Sequence, residues 1–264
     1  MLGARPSALG LTTVPSGEGR APSPLGAETA GREVGRQIEE AVRLALAGEV
    51  QAIVTGPAEK RALHATGYDY PGHTEWLGAL AGGVDTVMML AVPGLRVALV
   101  TTHLSLRHAL DALATDRIVR SGEVVRAALR ADWGIDAPRL ALCAVNPHAG
   151  EGGAFGTEDD AILAPAARQL AAAGPIPADT VFVRALRGEF DAVLAPYHDV
   201  GMTAVKVAGF GRGVNVTLGL PFIRTAPDHG TAMDIAGKGI ADPSSMREAV
   251  ALAVRLAGGR ASGR

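Results

Sequence analysis

Cysteine, lysine and aromatic residues are all scarce in this 264-residue chain, and each scarcity excludes something. The single cysteine, Cys143, lies inside the apolar run Leu140-Ala141-Leu142-Cys143-Ala144-Val145, so neither an intrachain disulfide nor a zinc-finger spacing is available. It reads as a small buried hydrophobe on a strand. Lys+Arg 25 against Asp+Glu 27 leaves a net charge of −2, without the basic excess that marks a nucleic-acid partner. The longest apolar region, residues 88–100, is broken by Pro93, Gly94 and Arg96 and falls short of the ~20 apolar residues that span a bilayer. No signal-peptide pattern opens the chain. These absences predict a cytoplasmic protein with neither nucleic acid nor membrane among its partners. A G-x-G-x-x-G fingerprint is also missing. Gly209, Gly211 and Gly213 run into Val214, and Gly150 and Gly152 are followed by Phe155 where the last glycine would fall. A Rossmann dinucleotide site is therefore not indicated.

What is present is enough apolar sequence, 48%, to fill a substantial core. Residues 1–28, rich in Gly, Pro, Ser and Ala, read as a loose leader. A helix is predicted over 30–47, with Val34, Ile38, Val42 and Ala45 on one face and Gly48 placed to stop it. Short apolar runs at 52–54, 86–91, 97–100, 140–145, 192–195 and 214–218 do not alternate with polar residues. Strands of this kind are buried on both faces. Helical stretches are predicted at 105–131, 157–173 and 244–256, the second opening on Thr157-Glu158-Asp159-Asp160, a capping residue and acids. The pattern is that of an α/β protein with a mainly parallel sheet and flanking helices.

Three of the seven histidines fall just past the carboxyl end of an apolar run: His103 after 97–102, His148 after 140–147 and His198 after 192–197. In open α/β sheets that edge is where ligands bind. The spacing suits three neighbouring strands whose tips converge, and three neutral imidazoles at one point make a divalent-metal site with positions open for substrate. The alternative is three unrelated loop histidines, each bonded to backbone. Gly72-His73-Thr74-Glu75 precedes a plausible helix, where Thr74 is either part of an anion site at the helix start or a plain N-cap. Asn146-Pro147-His148-Ala149-Gly150-Glu151-Gly152-Gly153 is a glycine-rich loop of the kind that lets backbone N–H groups approach a ligand. The only lysines are Lys60, Lys206 and Lys238, and Lys206 lies between Val205 and Val207, where an ammonium must find an anion or water. Asn215 and Arg224 bracket the run at 216–223. With Lys206 they could recognise a phosphate or carboxylate, or serve as ordinary polar rim. The residues alone support a metal-dependent α/β enzyme acting on a small anionic substrate.

These segments, together with Val54-Thr55-Gly56-Pro57, Thr101-Thr102-His103-Leu104, Tyr197-His198-Asp199 and the stretch 214–239, resemble the 4-hydroxythreonine-4-phosphate dehydrogenase family. Members are NAD-dependent enzymes of pyridoxal phosphate biosynthesis. The resemblance covers about residues 30–257. It implies the isocitrate/isopropylmalate dehydrogenase fold, which binds NAD without a Rossmann fingerprint, and makes residues 29–264 one catalytic unit of two interlocked subdomains. It also implies that His103, His148 and His198 hold one divalent ion (zinc, magnesium or cobalt) at a site shared between the copies of a homodimer. His73, Thr74, Lys206, Asn215 and Arg224 match substrate-binding positions. Two departures stand out. Members usually open with a strand and a Gly-Asp-Pro-Ala-Gly-Ile-Gly-Pro-Glu-like loop that this sequence lacks, which points to a shortened member or a late start with apolar surface uncovered. Where many members have glutamine after Tyr-His-Asp, this chain has Val200.

The expected reaction is oxidation of a phosphorylated hydroxy-amino acid followed by loss of CO2, with Lys206 supplying charge; the sequence does not identify the general base, for which Asp199 is only a guess. The NAD-contacting residues are not identified by the sequence. Two alternatives remain. One keeps the fold but takes phosphorylated sugar acids such as 4-phosphothreonate or 4-phosphoerythronate, or aromatic dihydrodiols. The other is a catalytically silent ligand-binding member.

Overall fold

The computed structural model describes residues 27–262, so the predicted leader lies almost wholly outside the described residues. Its strands are β1 (Ala52–Val54), β2 (Val87–Val92), β3 (Leu95–Leu99), β4 (Leu140–Cys143), β5 (Ala173–Ile176), β6 (Ala192–Ala195), β7 (Val214–Leu218) and β8 (Ile223–Pro227). They form a single eight-stranded sheet in the order β1-β8-β7-β2-β3-β6-β4-β5. The α-helices are α1 (Ala27–Leu46), α2 (Lys60–His64), α3 (His73–Leu80), α4 (Leu106–Asp111), α5 (Thr115–Trp133), α6 (Ala164–Gln169), α7 (Ala178–Leu186), α8 (His198–Gly209) and α9 (Ser244–Ser262).

Both faces of the sheet are covered, and β2 displays the period-2 reason. Its residues Val87, Met89 and Ala91 enter one core with Ile118, Val125 and Leu129 of α5 and Ala249 and Leu252 of α9. Met88, Leu90 and Val92 enter another with Val181 and Phe182 of α7 and Val205 of α8. A third cluster packs α1, α2 and α3 over the β1 end through Ile38, Val42, Leu63, Trp76 and Leu77.

The sheet is less uniformly parallel than its apolar runs predict. Pairs β1·β8, β3·β6, β4·β6 and β4·β5 are parallel, whereas β2 runs against both neighbours and β7 against β8. The cause is local: β2 and β3 join through the two-residue turn at Pro93-Gly94, with Gly94 at φ 80°, and a hairpin is necessarily antiparallel. The helix predicted over 105–131 is two, because Ala112–Ala114 leaves the helical path and Ala114 is extended at φ −147°. The stretch 157–173 divides into a π-helical turn, Asp159–Leu163, and α6. No described helix is long and apolar enough to cross a membrane.

Candidate active site

Two hydrogen bonds clip the tips of β3 and β6 together. The Val100 amide donates to the Ala195 carbonyl at 2.9 Å, and Thr101 Oγ1 donates to the Pro196 carbonyl at 2.8 Å. His103 and His198 follow directly, and their ring centroids lie 6.3 Å apart. His103 has left-handed backbone, φ 41°, a conformation that costs a non-glycine residue of order 1–3 kcal/mol and concentrates at functional sites. Burial, then the charge of Lys60, hold its imidazole below the ordinary histidine pKa, against the opposing pull of Glu75. His198 opens α8 with its Nδ1 2.7 Å from Oδ1 of the exposed Asp199. Asp199, expected as a base, is thus engaged with a histidine ring.

His148 stands one strand further along. The sheet order β3-β6-β4 makes the three strands neighbours, as the histidine spacing predicts, and all three run the same way. His148 is exposed, in the loop Pro147–Gly153, with its ring 6.2 Å from that of Phe155. From His148 to Gly153 every φ is positive: 53°, 55°, 82°, 42°, 66° and 93°. Glycine occupies three of those six positions, and the fully buried Asp159 anchors the loop's start. Its carboxylate accepts from the amides of Val145 and Asn146 at 2.9 and 3.0 Å and from Asn146 Nδ2 at 3.0 Å. From the sequence, Asp159 reads only as an acid at a helix start. Among the described residues of one copy, no three His, Cys, Asp or Glu side chains gather closely enough to hold a metal. His103 and His198 come together; His148 does not join them.

The polar residues of β7 and β8 form a second group. Val214, Val216, Leu218 and Ile223 enter the α5–α9 core, so alternation turns Asn215, Thr217 and Arg224 to the opposite face. Arg224 Nη1 donates to Thr217 Oγ1 at 3.0 Å and Nη2 to Thr55 Oγ1 at 2.6 Å, while Thr74 Oγ1 lies 3.5 Å from Thr217 Oγ1. Thr74 is therefore not an N-cap: Gly72 holds that position, and no side chain caps the helix. Arg224 is only 3% exposed and has no carboxylate partner among the described residues. Burial pushes its pKa down to about 10. Its Nε, Oδ1 of Asn215 and Oε2 of Glu75 are buried with no hydrogen-bond partner among the described residues. His73, beside this group, is pushed down to about 4 by burial, then by the charges of Arg224 and Lys60, and is neutral at pH 7.

Lys206 meets its anion within the chain. Nζ donates to Asp228 Oδ2 at 2.8 Å and to the Asp228 carbonyl at 3.1 Å. The flanking valines differ: Val205 is buried, whereas Val207 is 84% exposed, so the apolar setting read from sequence is only half present. Beyond Thr74 and Glu75, a cavity of about 300 Å³ opens between the sheet edge and α5, walled by Thr102, Arg117, Arg120 and Ser121. That volume is at the lower end of small-molecule sites. Thr55, Thr217, Asp159 and Asp228 were missed by sequence reasoning. Thr55 and Thr217 lie inside the segments quoted for the family resemblance.

Comparison with known proteins shows the family to which the chain belongs. The family profile described as "Pyridoxal phosphate biosynthetic protein PdxA" matches residues 16–253. The chain is 50% identical over 236 residues to the 4-hydroxythreonine-4-phosphate dehydrogenase of Caulobacter vibrioides, covering 85% of this chain and 71% of that one. It is similar to a crystal structure of 4-hydroxythreonine-4-phosphate dehydrogenase from Klebsiella pneumoniae, with a TM-score of 0.83, 45% identity and coverage of 90% and 74%. A terephthalate 1,2-cis-dihydrodioldehydrogenase from Burkholderia xenovorans is more distant, with a TM-score of 0.66, 31% identity and coverage of 90% and 77%. The chain belongs to the PdxA family of pyridoxal phosphate biosynthetic proteins.

Proposed function

We propose that the chain is a 4-hydroxythreonine-4-phosphate dehydrogenase of pyridoxal phosphate biosynthesis, working as a homodimer with NAD and one divalent ion. The observation that carries the reading is Arg224, a buried cation whose only partners among the described residues are two hydroxyls. An uncompensated buried charge is costly, so such a site is built for an arriving anion. The free Nε of Arg224 would donate to a substrate phosphate or carboxylate, and Asn215 Oδ1 would accept from an ammonium or hydroxyl. Neutral His73 and the Thr74 hydroxyl supply further uncharged contacts. Lys206 has two of its three protons engaged by Asp228, which leaves one for a ligand. Relatives at 45–50% identity carry this dehydrogenase name, against 31% for the dihydrodiol enzyme, which favours the phosphorylated amino acid as substrate.

The donor set at the strand tips fits a metal ion. Two imidazoles lie close together, tilted by 40°, one with Nδ1 bonded to a carboxylate, which leaves its Nε2 for coordination. His148, exposed on its left-handed loop beside exposed Phe155, suits a third ligand delivered to a second copy. Bound there, a divalent ion and a nicotinamide would acidify the substrate hydroxyl and accept its carbon's hydride. The products are a β-keto acid, NADH and the proton lost from the hydroxyl. Breaking the bond to its carboxyl group releases CO2 and gives 3-amino-2-oxopropyl phosphate after protonation. Asp199 keeps His198 oriented throughout.

The test is NADH formation from 4-phosphohydroxythreonine with added divalent metal, beside metal content of wild type and His148→Ala. Turnover only with a phosphorylated sugar acid would overturn the substrate. Undiminished metal in His148→Ala would remove that residue from the site. No turnover with either substrate favours a silent ligand-binding protein.

A further inference from the structure

Anion binding by Arg224 and Asn215 leaves the carboxylate of Glu75 unexplained. Glu75 is the third residue of α3, directly after His73 and Thr74. Its Oε1 lies 4.0 Å from His103 Nδ1, and its Oε2 is buried with no hydrogen-bond partner among the described residues. Leaving a carboxylate oxygen without a donor inside a protein is costly, so a donor is expected to come to it. Gly72 makes room for the approach. A Cβ at that position would lie 3.0 Å from Glu75 Oε2 and 3.1 Å from His103 Cε1. Gly72 is extended, φ −168°, which any residue can adopt, so its contribution is space alone.

His198 repeats the arrangement, with Nδ1 2.7 Å from the Asp199 carboxylate. Both neighbouring imidazoles therefore turn Nδ1 toward an acid. A neutral imidazole carries one proton, and a carboxylate at Nδ1 keeps it there, so that the lone pair lies on Nε2. The geometry points to Glu75 as the positioning residue of His103: it holds the ring and its Nδ1 proton so that Nε2 is presented to a divalent cation. Closing about 1 Å brings the pair to ordinary hydrogen-bond length. The inference rests on the metal reading above and adds a partner that α3 delivers along with the substrate contacts His73 and Thr74. A carboxylate in this role acts on the metal through the histidine it fixes, and removing such a partner weakens metal affinity about 10- to 100-fold.

The experiment uses the full chain and three readouts: zinc affinity by chelator competition, the visible spectrum with cobalt(II), and histidine ¹⁵N NMR of the metal-free protein. His103 should be protonated on Nδ1 in wild type. Glu75→Ala should weaken zinc about 10- to 100-fold, alter the cobalt spectrum and move His103 toward the Nε2-protonated form, with the metal-free thermal midpoint unchanged. Glu75→Gln keeps an acceptor and should lose less. Gly72→Ala, which wedges a methyl between ring and acid, should shift affinity in the same direction as Glu75→Ala. Nε2-protonated His103 in wild type overturns the assignment, and that measurement holds even where a variant fails to fold. So does wild-type zinc affinity in Glu75→Ala alongside its loss in His103→Ala. Full zinc binding in His103→Ala as well overturns the metal reading itself.

Discussion

Thr217 and Arg224 stand directly opposite one another across β7 and β8, and the guanidinium Nη1 donates to the Thr217 hydroxyl at 3.0 Å. Cross-strand register thus fixes the arginine, and Thr55, directly after the adjacent strand β1, holds its other arm. Pinned at both Nη atoms by hydroxyls, the arginine has, among the described residues, neither an acid to cancel its charge nor a partner for its Nε.

Arg224→Met should therefore separate folding from binding. Deleting a buried cation without an acid partner leaves stability at or above wild type, by up to about 2 kcal/mol. Substrate binding should weaken by about 1.5–3 kcal/mol, roughly ten- to a hundredfold in KM. Thermal midpoints and KM measured together check this; an unfolded variant, or unchanged KM, contradicts it.

Lys206→Met has the opposite signature. It strands Asp228, whose side chain is only 6% exposed, without its ammonium. The loss should be about 1–2 kcal/mol, below the fully buried value because Lys206 is half-buried. Adding Asp228→Asn should recover most of it, as urea midpoints would reveal. A Lys206→Met protein as stable as wild type would mean that the pair contributes nothing.

The burial of His73 predicts acid sensitivity. Its folded pKa, pushed down to about 4, lies below the unfolded value near 6.5, so between those limits the unfolded chain binds the extra proton. Stability from this group is complete above about pH 6.5 and falls as pH drops toward 4, by about 3 kcal/mol at most. His73→Gln should flatten that part of the profile. Urea unfolding at several pH values checks it, and an equally steep profile in the variant would assign the effect to other groups.

Asp159→Ala should disturb the site from a distance. Three N–H groups at the end of β4 lose their acceptor, costing about 2–4 kcal/mol, and the loop bearing His148 loses its anchor. Metal content should fall with stability. Wild-type metal content in a destabilised variant would show that His148 is placed without Asp159.

Much of this architecture was legible in the sequence. Six strands follow their apolar runs, and the tips after β3, β6 and β4 are neighbours, as three histidines at equivalent positions predict. Strand β5 escaped because Ala173-Gly174-Pro175-Ile176 carries helix and strand breakers and is only partly buried at the sheet's end. Strand β8 escaped because Arg224 and Thr225 make it look polar, although all five residues are buried. The apolar setting of Lys206 was misjudged for a geometric reason: on a helix, neighbours at i±1 point different ways, so Val205 enters the core while Val207 faces out. Asp228 lies 22 residues from its lysine, a pairing no local pattern announces.

The left-handed loop inverts the usual ranking of residues. In a right-handed helix alanine is the best former and glycine among the worst. At Ala149, φ 55°, the handedness is reversed, and the methyl group that favours the ordinary helix becomes the source of about 1–2 kcal/mol of steric cost. Ala149→Gly relieves that cost but frees the unfolded chain, for a net gain of up to about 1 kcal/mol. A D-alanine introduced there by semisynthesis keeps the methyl, suits the mirror-image backbone and restrains the unfolded state, and so should stabilise more than glycine. For this segment, mirror-image chemistry supplies the better building block.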